Sequence, residues 1–254
     1  MAFLSATVIT RNEERNIERC LNSLIGVADE IVVVDSNSDD ATVDICRRYG
    51  AVVRQRPFAG YGPQRQYAAT VANGNYILSI DADETLTETL RENIRAIKEK
   101  GFAHRMYRFR VVNYLGGKPM SHSGLHPTLE TRLFDKRYAN WDLLEVGERL
   151  THPAGVLPAT IEGDMHHFRC DDFVEFETKE LRHAVLKARL MAAAGIRAAE
   201  PLCWLRAAAA FVGAHLSDAA FLDGATGRRI AWTRFRTTLE AYRAARRIVD
   251  SAKK

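Results

Sequence analysis

Tyr76-Ile77-Leu78-Ser79-Ile80-Asp81-Ala82-Asp83-Glu84 is the stretch that decides the fold. A short run of apolar and β-branched residues passes directly into a cluster of acids, the pattern of a strand that ends at a polar site. A strand apolar on both sides of its pleat needs cover on both faces, as a parallel sheet flanked by helices provides. The same pattern occurs twice upstream. Phe3 to Ile9 runs into Thr10-Arg11-Asn12-Glu13, and Glu30 to Val34 runs into Asp35 and the polar loop Ser36-Asn37-Ser38-Asp39-Asp40. Ala51 to Arg54 offers a further short strand. Between these lie segments of helical spacing: Glu14 to Leu24 through Ile17, Leu21 and Leu24; Ala41 to Tyr49; Gln64 to Ala72; and Thr87 to Lys100 through Leu90, Ile94 and Ile97. Strand and helix alternate, so right-handed crossovers predict an α/β fold, a mainly parallel sheet with helices on both faces. Ligands bind such sheets at the carboxyl ends of their strands. Three polar clusters distant in sequence are thereby expected on one sheet edge.

Beyond Arg105 the pattern changes. His104 to Val112 alternates as a strand does, and Thr131 to Phe134 is a shorter piece. The rest of 113–168 reads as irregular, rich in Gly, His, Pro and aromatics, as functional loop regions are. From Asp171 the chain is helical and rich in Ala and Arg. The expected organisation is an α/β domain over 1–170 that carries the ligand site, followed by a basic helical extension over 171–254. The 254 residues suffice for one substantial core. Hydrophobic residues at 46% and charged residues at 27% exclude a disordered chain. No stretch has the run of uncharged apolar residues that a bilayer span requires, and Phe3 begins the first strand without a basic leader. A cytosolic protein is therefore expected. Cys20, Cys46, Cys170 and Cys203 form no C-x-x-C pair, which argues against a zinc ribbon and supplies no disulfide framework. The net charge of +4 divides unevenly, with −5 over residues 1–178 and +9 over 179–254. A basic quarter on an acidic body points to an anionic contact or to solvated helix faces.

Asp81 and Asp83 alternate after a strand, so on an extended segment both carboxylates face one way. Such a pair suits Mg²⁺ or Mn²⁺ bridging to a diphosphate; a solvated turn with Asp83 or Thr85 capping the next helix is the alternative. Asp35 can accept hydrogen bonds from a ribose or a uracil ring N–H, or the Asp39–Asp40 loop can simply cap a helix.

At these intervals Val8-Ile9-Thr10-Arg11-Asn12-Glu13, Val34-Asp35-Ser36-Asn37-Ser38-Asp39 and Ser79-Ile80-Asp81-Ala82-Asp83-Glu84 resemble glycosyltransferase family 2, of the GT-A fold. Asn113-Tyr114-Leu115-Gly116-Gly117, His122-Ser123-Gly124, Arg132-Leu133-Phe134, Gly147-Glu148-Arg149 and Phe221-Leu222-Asp223-Gly224 are similar to the bacterial lipopolysaccharide-core β-glucosyltransferases of the WaaE/KdtX type. The resemblance implies that Thr10, Glu13, Asp35 and Asp81 hold the nucleoside, that Asp83 binds Mg²⁺ or Mn²⁺, and that His167 completes the metal shell. It implies that Arg65 lies near the donor phosphates and that Glu148 is the general base, with Glu145 the competing candidate. His122 and His126 would meet acceptor or phosphate. Two positions depart from the family: Gly147 replaces a His before the base, and Asn37 replaces a Gly after Asp-Ser, where Asn still tolerates positive φ.

What the resemblance implies is an inverting, metal-dependent transfer of a sugar, glucose from UDP-glucose, to a saccharide acceptor such as the lipopolysaccharide inner core. A nucleotide-sugar-forming nucleotidyltransferase would carry a Gly-rich basic loop after the first strand, which Thr10 to Glu13 lacks. A non-catalytic sugar-binding scaffold would lose its acids, yet Asp81, Asp83 and Glu148 are present. Late in the chain, Trp204, Leu205, Ala208, Phe211, Val212, His215 and Leu216 form an apolar stripe among arginines. Such helices can lie on an anionic inner-membrane surface at its cytoplasmic face or pack as core. Nucleic acid is not an expected partner, since no recognised module occurs and the catalytic half is acidic.

Overall fold

A computed structural model describes residues 3–251. They divide into two compact units, one of residues 3–112 and 128–167, the other of 113–127 and 168–251. Residues 113–127 thus go with the helical part of the chain and not with the strand-rich part.

The first unit alternates as its sequence predicts. Strand β1 (Leu4–Thr10) leads to α1 (Ile17–Leu24), β2 (Glu30–Asp35), α2 (Thr42–Arg48), β3 (Val52–Gln55), α3 (Tyr61–Val71), β4 (Tyr76–Asp81), β5 (Glu84–Leu86) and α4 (Glu88–Glu99). Then come β6 (Met106–Leu115), β7 (Lys118–Pro119), β8 (Thr128–Asp135), the small antiparallel pair β9 (Asn140–Trp141) and β10 (Leu150–Thr151), and β11 (Ala159–Cys170). Strands β3, β2, β1 and β4 are parallel, and the sheet continues through β8, β6, β11 and β5 in the order given. In this second half the pairs β4–β8, β6–β8 and β11–β5 are antiparallel. The result is the α/β arrangement implied above, with a mixed sheet whose parallel half is the part legible as alternation.

Burial explains the strands. Leu4, Ala6 and Val8 of β1, Val33 of β2, and Leu78 and Ile80 of β4 pack with Ile17, Cys20, Leu21 and Leu24 of α1. On a second side Val32, Ile77 and Phe134 pack with Ala69 of α3 and Trp141. Both faces are covered, which is why these strands lack polar alternation. All four cysteines are buried, and none forms a disulfide among the described residues. Helix α4 starts at Thr87, whose Oγ1 accepts from Leu90 N at 3.4 Å. Thr87, and neither Asp83 nor Thr85, is the cap.

The second unit holds α5 (Phe173–Ala193), α6 (Glu200–Leu216), the short 3-10 turn Ala220–Asp223 and α7 (Gly224–Ser251). Asp172 caps α5 by accepting from the backbone N–H groups of Val174 and Glu175. Cys203 and Ala207 of α6 cluster with Leu239 of α7 and with Ala198 just before α6, and Ala214 of α6 clusters with Ala231 of α7 and Ala220 of the turn. His122 Nδ1 lies 3.2 Å from Asp223 Oδ1, Ser123 Oγ donates to the other oxygen of Asp223, and Arg234 donates to Ser123 O. These bonds fasten the 113–127 segment to the start of α7. No helix among the described residues is long and apolar enough to cross a membrane.

Candidate active site

Register brings the site together. Thr10 pairs with Asp35 across β1–β2, and Ile9 pairs with Asp81 across β1–β4. Adjacent parallel strands lie ~4.8 Å apart, so three strand ends present these residues side by side. Thr10 Oγ1 is buried there without a hydrogen-bond partner. Asp35 is fully buried, and its carboxylate accepts from Ser38 N at 3.0 Å, from Ser38 Oγ and from Gln55 Nε2 at 3.0 Å. It shapes the turn in which Asn37 takes φ 58°, the left-handed conformation Asn was expected to accept. Glu13 stands before α1, where its backbone N–H donates to Thr42 Oγ1 and its carboxylate accepts from Asn16.

After Asp81 the chain does not continue extended. Ala82 and Asp83 form a turn, and β5 leaves to pair with β11, so the two aspartates meet different partners. Asp81 Oδ2 accepts from Arg65 Nη2 at 2.7 Å and lies 3.9 Å from Arg132 Nη1, while its Oδ1 is buried without a partner. The β5–β11 register sets His167 opposite Glu84, and His167 Nε2 lies 3.4 Å from Asp83 Oδ1.

Arg65 is the centre of the constellation. It is buried, not an exposed helix charge. Its Nε donates to Glu148 Oε1 at 2.9 Å, its Nη2 to Asp81, and its guanidinium stands 5.1 Å from the centroid of the Trp141 ring. Glu148, distant in sequence, is thereby held to the acid at the end of β4. Gly147 before it has φ 74°, a conformation cheap for glycine and costly for the family's histidine. Glu145 takes another part. Its carbonyl accepts from Tyr61 N at 3.0 Å, and the loop lies so close to α3 that a Cβ on Gly60 would sit 2.6 Å from Glu145 Cα.

Two acids and an arginine to which the motifs gave no role, Glu84, Glu130 and Arg132, complete the charge pattern. Glu84 is fully buried, its Oε2 accepting from Asp81 N at 2.7 Å and its Oε1 from Arg132 Nη2 at 3.0 Å. Burial pushes the Glu84 carboxyl up to about 7, against the pull of Arg132. Burial acts the same way on Asp81, but Arg65 and Arg132 outweigh it and hold that carboxyl below its ordinary value. Glu130 also stays low, burial being outweighed by Arg132. Glu130 and Arg132 alternate on β8 and so share a face, a period-2 signal present in Glu130-Thr131-Arg132.

The residues fit a divalent cation of one kind. Asp83 and His167 set a carboxylate 3.4 Å from an imidazole, a donor pair compatible with Mg²⁺ or Mn²⁺. Among the described residues no three His, Cys, Asp or Glu converge on one point as a closed structural site would need. A cation sharing its shell with diphosphate oxygens and water needs no such cage.

The model of glycosyl transferase family 2 matches residues 5–157, which include Thr10, Asp35, Arg65, Asp81, Asp83 and Glu148 but not His167. The chain belongs to glycosyltransferase family 2. A lipopolysaccharide core biosynthesis glycosyltransferase, LpsC of Rhizobium meliloti, is 30% identical over 199 residues, 76% of this family 2 chain and 73% of its own. An uncharacterized glycosyltransferase of Rickettsia bellii is 35% identical over 144 residues, 54% of this chain and 48% of its own. The chain spans about half the length of the rickettsial relatives it matches. Among solved structures, S. aureus TarS superposes with a TM-score of 0.41 at 19% identity over 73% of this chain and 39% of its own, too loosely to transfer any property.

Proposed function

We propose that this family 2 member is an inverting glycosyltransferase that moves a hexosyl group, glucose, from a nucleoside-diphosphate sugar, UDP-glucose, to a saccharide acceptor in the lipopolysaccharide inner core. The observation that carries the reading is the single guanidinium of Arg65 joining Asp81, at the donor edge of the sheet, to Glu148. Donor recognition falls to Thr10, Glu13, Asp35 and Asp81. The unpartnered Thr10 Oγ1 supports this, being a buried hydroxyl with hydrogen-bonding capacity to spare. Asp83 and His167 would hold Mg²⁺ or Mn²⁺, which when bound offsets charge gathering on the diphosphate.

Glu148 acts as the general base. Its Oε1 is taken by Arg65, and Oε2 has no partner among the described residues. It takes the acceptor hydroxyl's proton as that oxygen attacks the anomeric carbon; the bond from that carbon to the diphosphate breaks, and its electron pair leaves with the nucleoside diphosphate. One displacement on one face inverts the anomeric configuration. Arg65 fixes where Glu148 sits, and with both its donating edges on protein carboxylates it is first a positioning residue; contact with the donor phosphates would need it to share those bonds. The acceptor class is supported by the name of the Rhizobium meliloti relative, whose own role is core biosynthesis. An acceptor of that class would be met at the cytoplasmic face of the inner membrane.

The test is a panel of nucleotide sugars with Mg²⁺, Mn²⁺ or EDTA, following melting temperature and nucleotide release together. One UDP-sugar should raise the melting temperature in a metal-dependent way, by an amount growing with its concentration over its dissociation constant, and should slowly yield UDP. No response to any nucleotide by the folded protein with metal present would overturn the reading.

A further inference from the structure

Helix α6 has two apolar faces and almost no polar one. Its inner face is Cys203, Ala207 and Ala214, packed against α7. On the opposite side Leu202, Leu205, Ala209, Val212 and Leu216 recur at alternating spacings of three and four, one continuous stripe along the helix. Leu205 is 65% exposed and Leu216 68%. The 3-10 turn after the helix extends the apolar surface, with Phe221 52% and Leu222 59% exposed. A helix apolar all round is ordinarily buried, so this face calls for a cover.

Charge decides what covers it. Residues 179–254 carry a net +9. Arg182, Lys187, Arg189, Arg206 and Arg228 are exposed, and none is paired with a carboxylate among the described residues. Of these, Arg206 is on α6 itself and Arg228 in the first turns of α7 after the apolar turn, so a second copy docking symmetrically on this face would bring arginine toward arginine, which costs affinity. An anionic bilayer surface satisfies both properties at once, taking the leucines and Phe221 into its acyl boundary and the cations among its headgroups.

We infer that the outer face of α6, with Phe221 and Leu222, is a peripheral docking surface for anionic phospholipid. This deepens the reading of a membrane-linked acceptor but does not need it, because binding can be measured with no sugar nucleotide present. The full chain is floated with vesicles of phosphatidylethanolamine containing phosphatidylglycerol, and separately with vesicles of phosphatidylcholine alone, at low and high salt. The expected result is co-flotation with the anionic vesicles only, weakened by salt. The triple substitution Leu205→Ser, Leu216→Ser and Phe221→Ser should lower the bound fraction ~tenfold or more. These side chains are exposed, so the variant should keep the native circular dichroism and melting temperature; should it not, Arg206→Glu with Arg228→Glu is the replacement test and should likewise abolish flotation. Absence of flotation with anionic vesicles would overturn the inference. So would a concentration-dependent dimer dispersed by the same substitutions, which would assign the face to a second copy. Donor-dependent stabilisation by UDP-sugar would persist in either case, so this inference and the transferase reading fail separately.

Discussion

Arg65 offers two donors to two carboxylates and a flat face to Trp141, and each contact constrains the others. A guanidinium is suited to this because its plane and fork are rigid, so fixing it at Asp81 fixes Glu148 as well. The role of Glu148 can be tested without dismantling that arrangement. In Glu148→Gln the amide oxygen still accepts from Arg65 Nε, while the side chain can no longer take a proton. Turnover should fall by ~10²–10⁴-fold with donor affinity little changed, as single-turnover kinetics and donor titration would measure. Retention of near-normal turnover would transfer the base to another residue. The residues of this site were unevenly legible. Asp81 and Asp83 announce themselves after an apolar strand. Arg65 in Pro63-Gln64-Arg65-Gln66 looks like any helix surface charge, because only tertiary contact reveals that its face of α3 is the buried one. Gly147 reads as a departure from the family until its φ is known; the backbone conformation there favours the residue that is present.

At the scale of elements, the site depends on a loop laid closely over the first turn of α3. Gly62 N donates to Leu144 O at 3.1 Å, and a Cβ at residue 62 would lie 2.3 Å from Asp142 O and 2.7 Å from Leu144 O. Those atoms are backbone and cannot swing aside. Gly62→Ala should therefore cost ~1–3 kcal/mol of stability and displace the strand of chain that carries Glu148. A urea midpoint shift together with a loss of turnover would show it; a fully active, equally stable variant would contradict the close approach. The parallel half of the sheet was readable from β-branched runs and helical spacing. β11 was not: Glu162, Gly163, Asp164 and His166 interrupt any apolar pattern, and Gly163 lies against Leu90, where a Cβ would come within 2.5 Å of its backbone nitrogen. The pairing of that strand with β5 is what sets His167 beside Asp83, so their juxtaposition was suggested by the family resemblance and not by periodicity.

On the scale of the whole molecule, acid should weaken the fold through carboxylates that are tied in the native state. Burial raises Asp29, but the Leu4 N–H and Lys98 outweigh it; burial raises Asp135, but Arg137 outweighs it. Both folded values lie below the ordinary aspartate value, so each contributes stability above that value and loses it as pH falls through the folded one. Asp29→Asn should be less stable than the parent at pH 7 and should lose less on acidification below about pH 4, a difference that urea midpoints measured across the range would reveal. Equal losses in parent and variant would exclude Asp29 as a source of acid sensitivity. The cluster at the ends of β1, β2 and β4 has its own imbalance, two guanidinium groups of Arg65 and Arg132 against the carboxylates of Asp81, Asp83, Glu84, Glu130 and Glu148. Such a field discriminates by sign before it discriminates by shape. On the proposed reading a bare diphosphate would meet repulsion here, whereas the same diphosphate carrying a cation would arrive close to neutral. Entry would in that sense be escorted, in the order in which charges are cancelled.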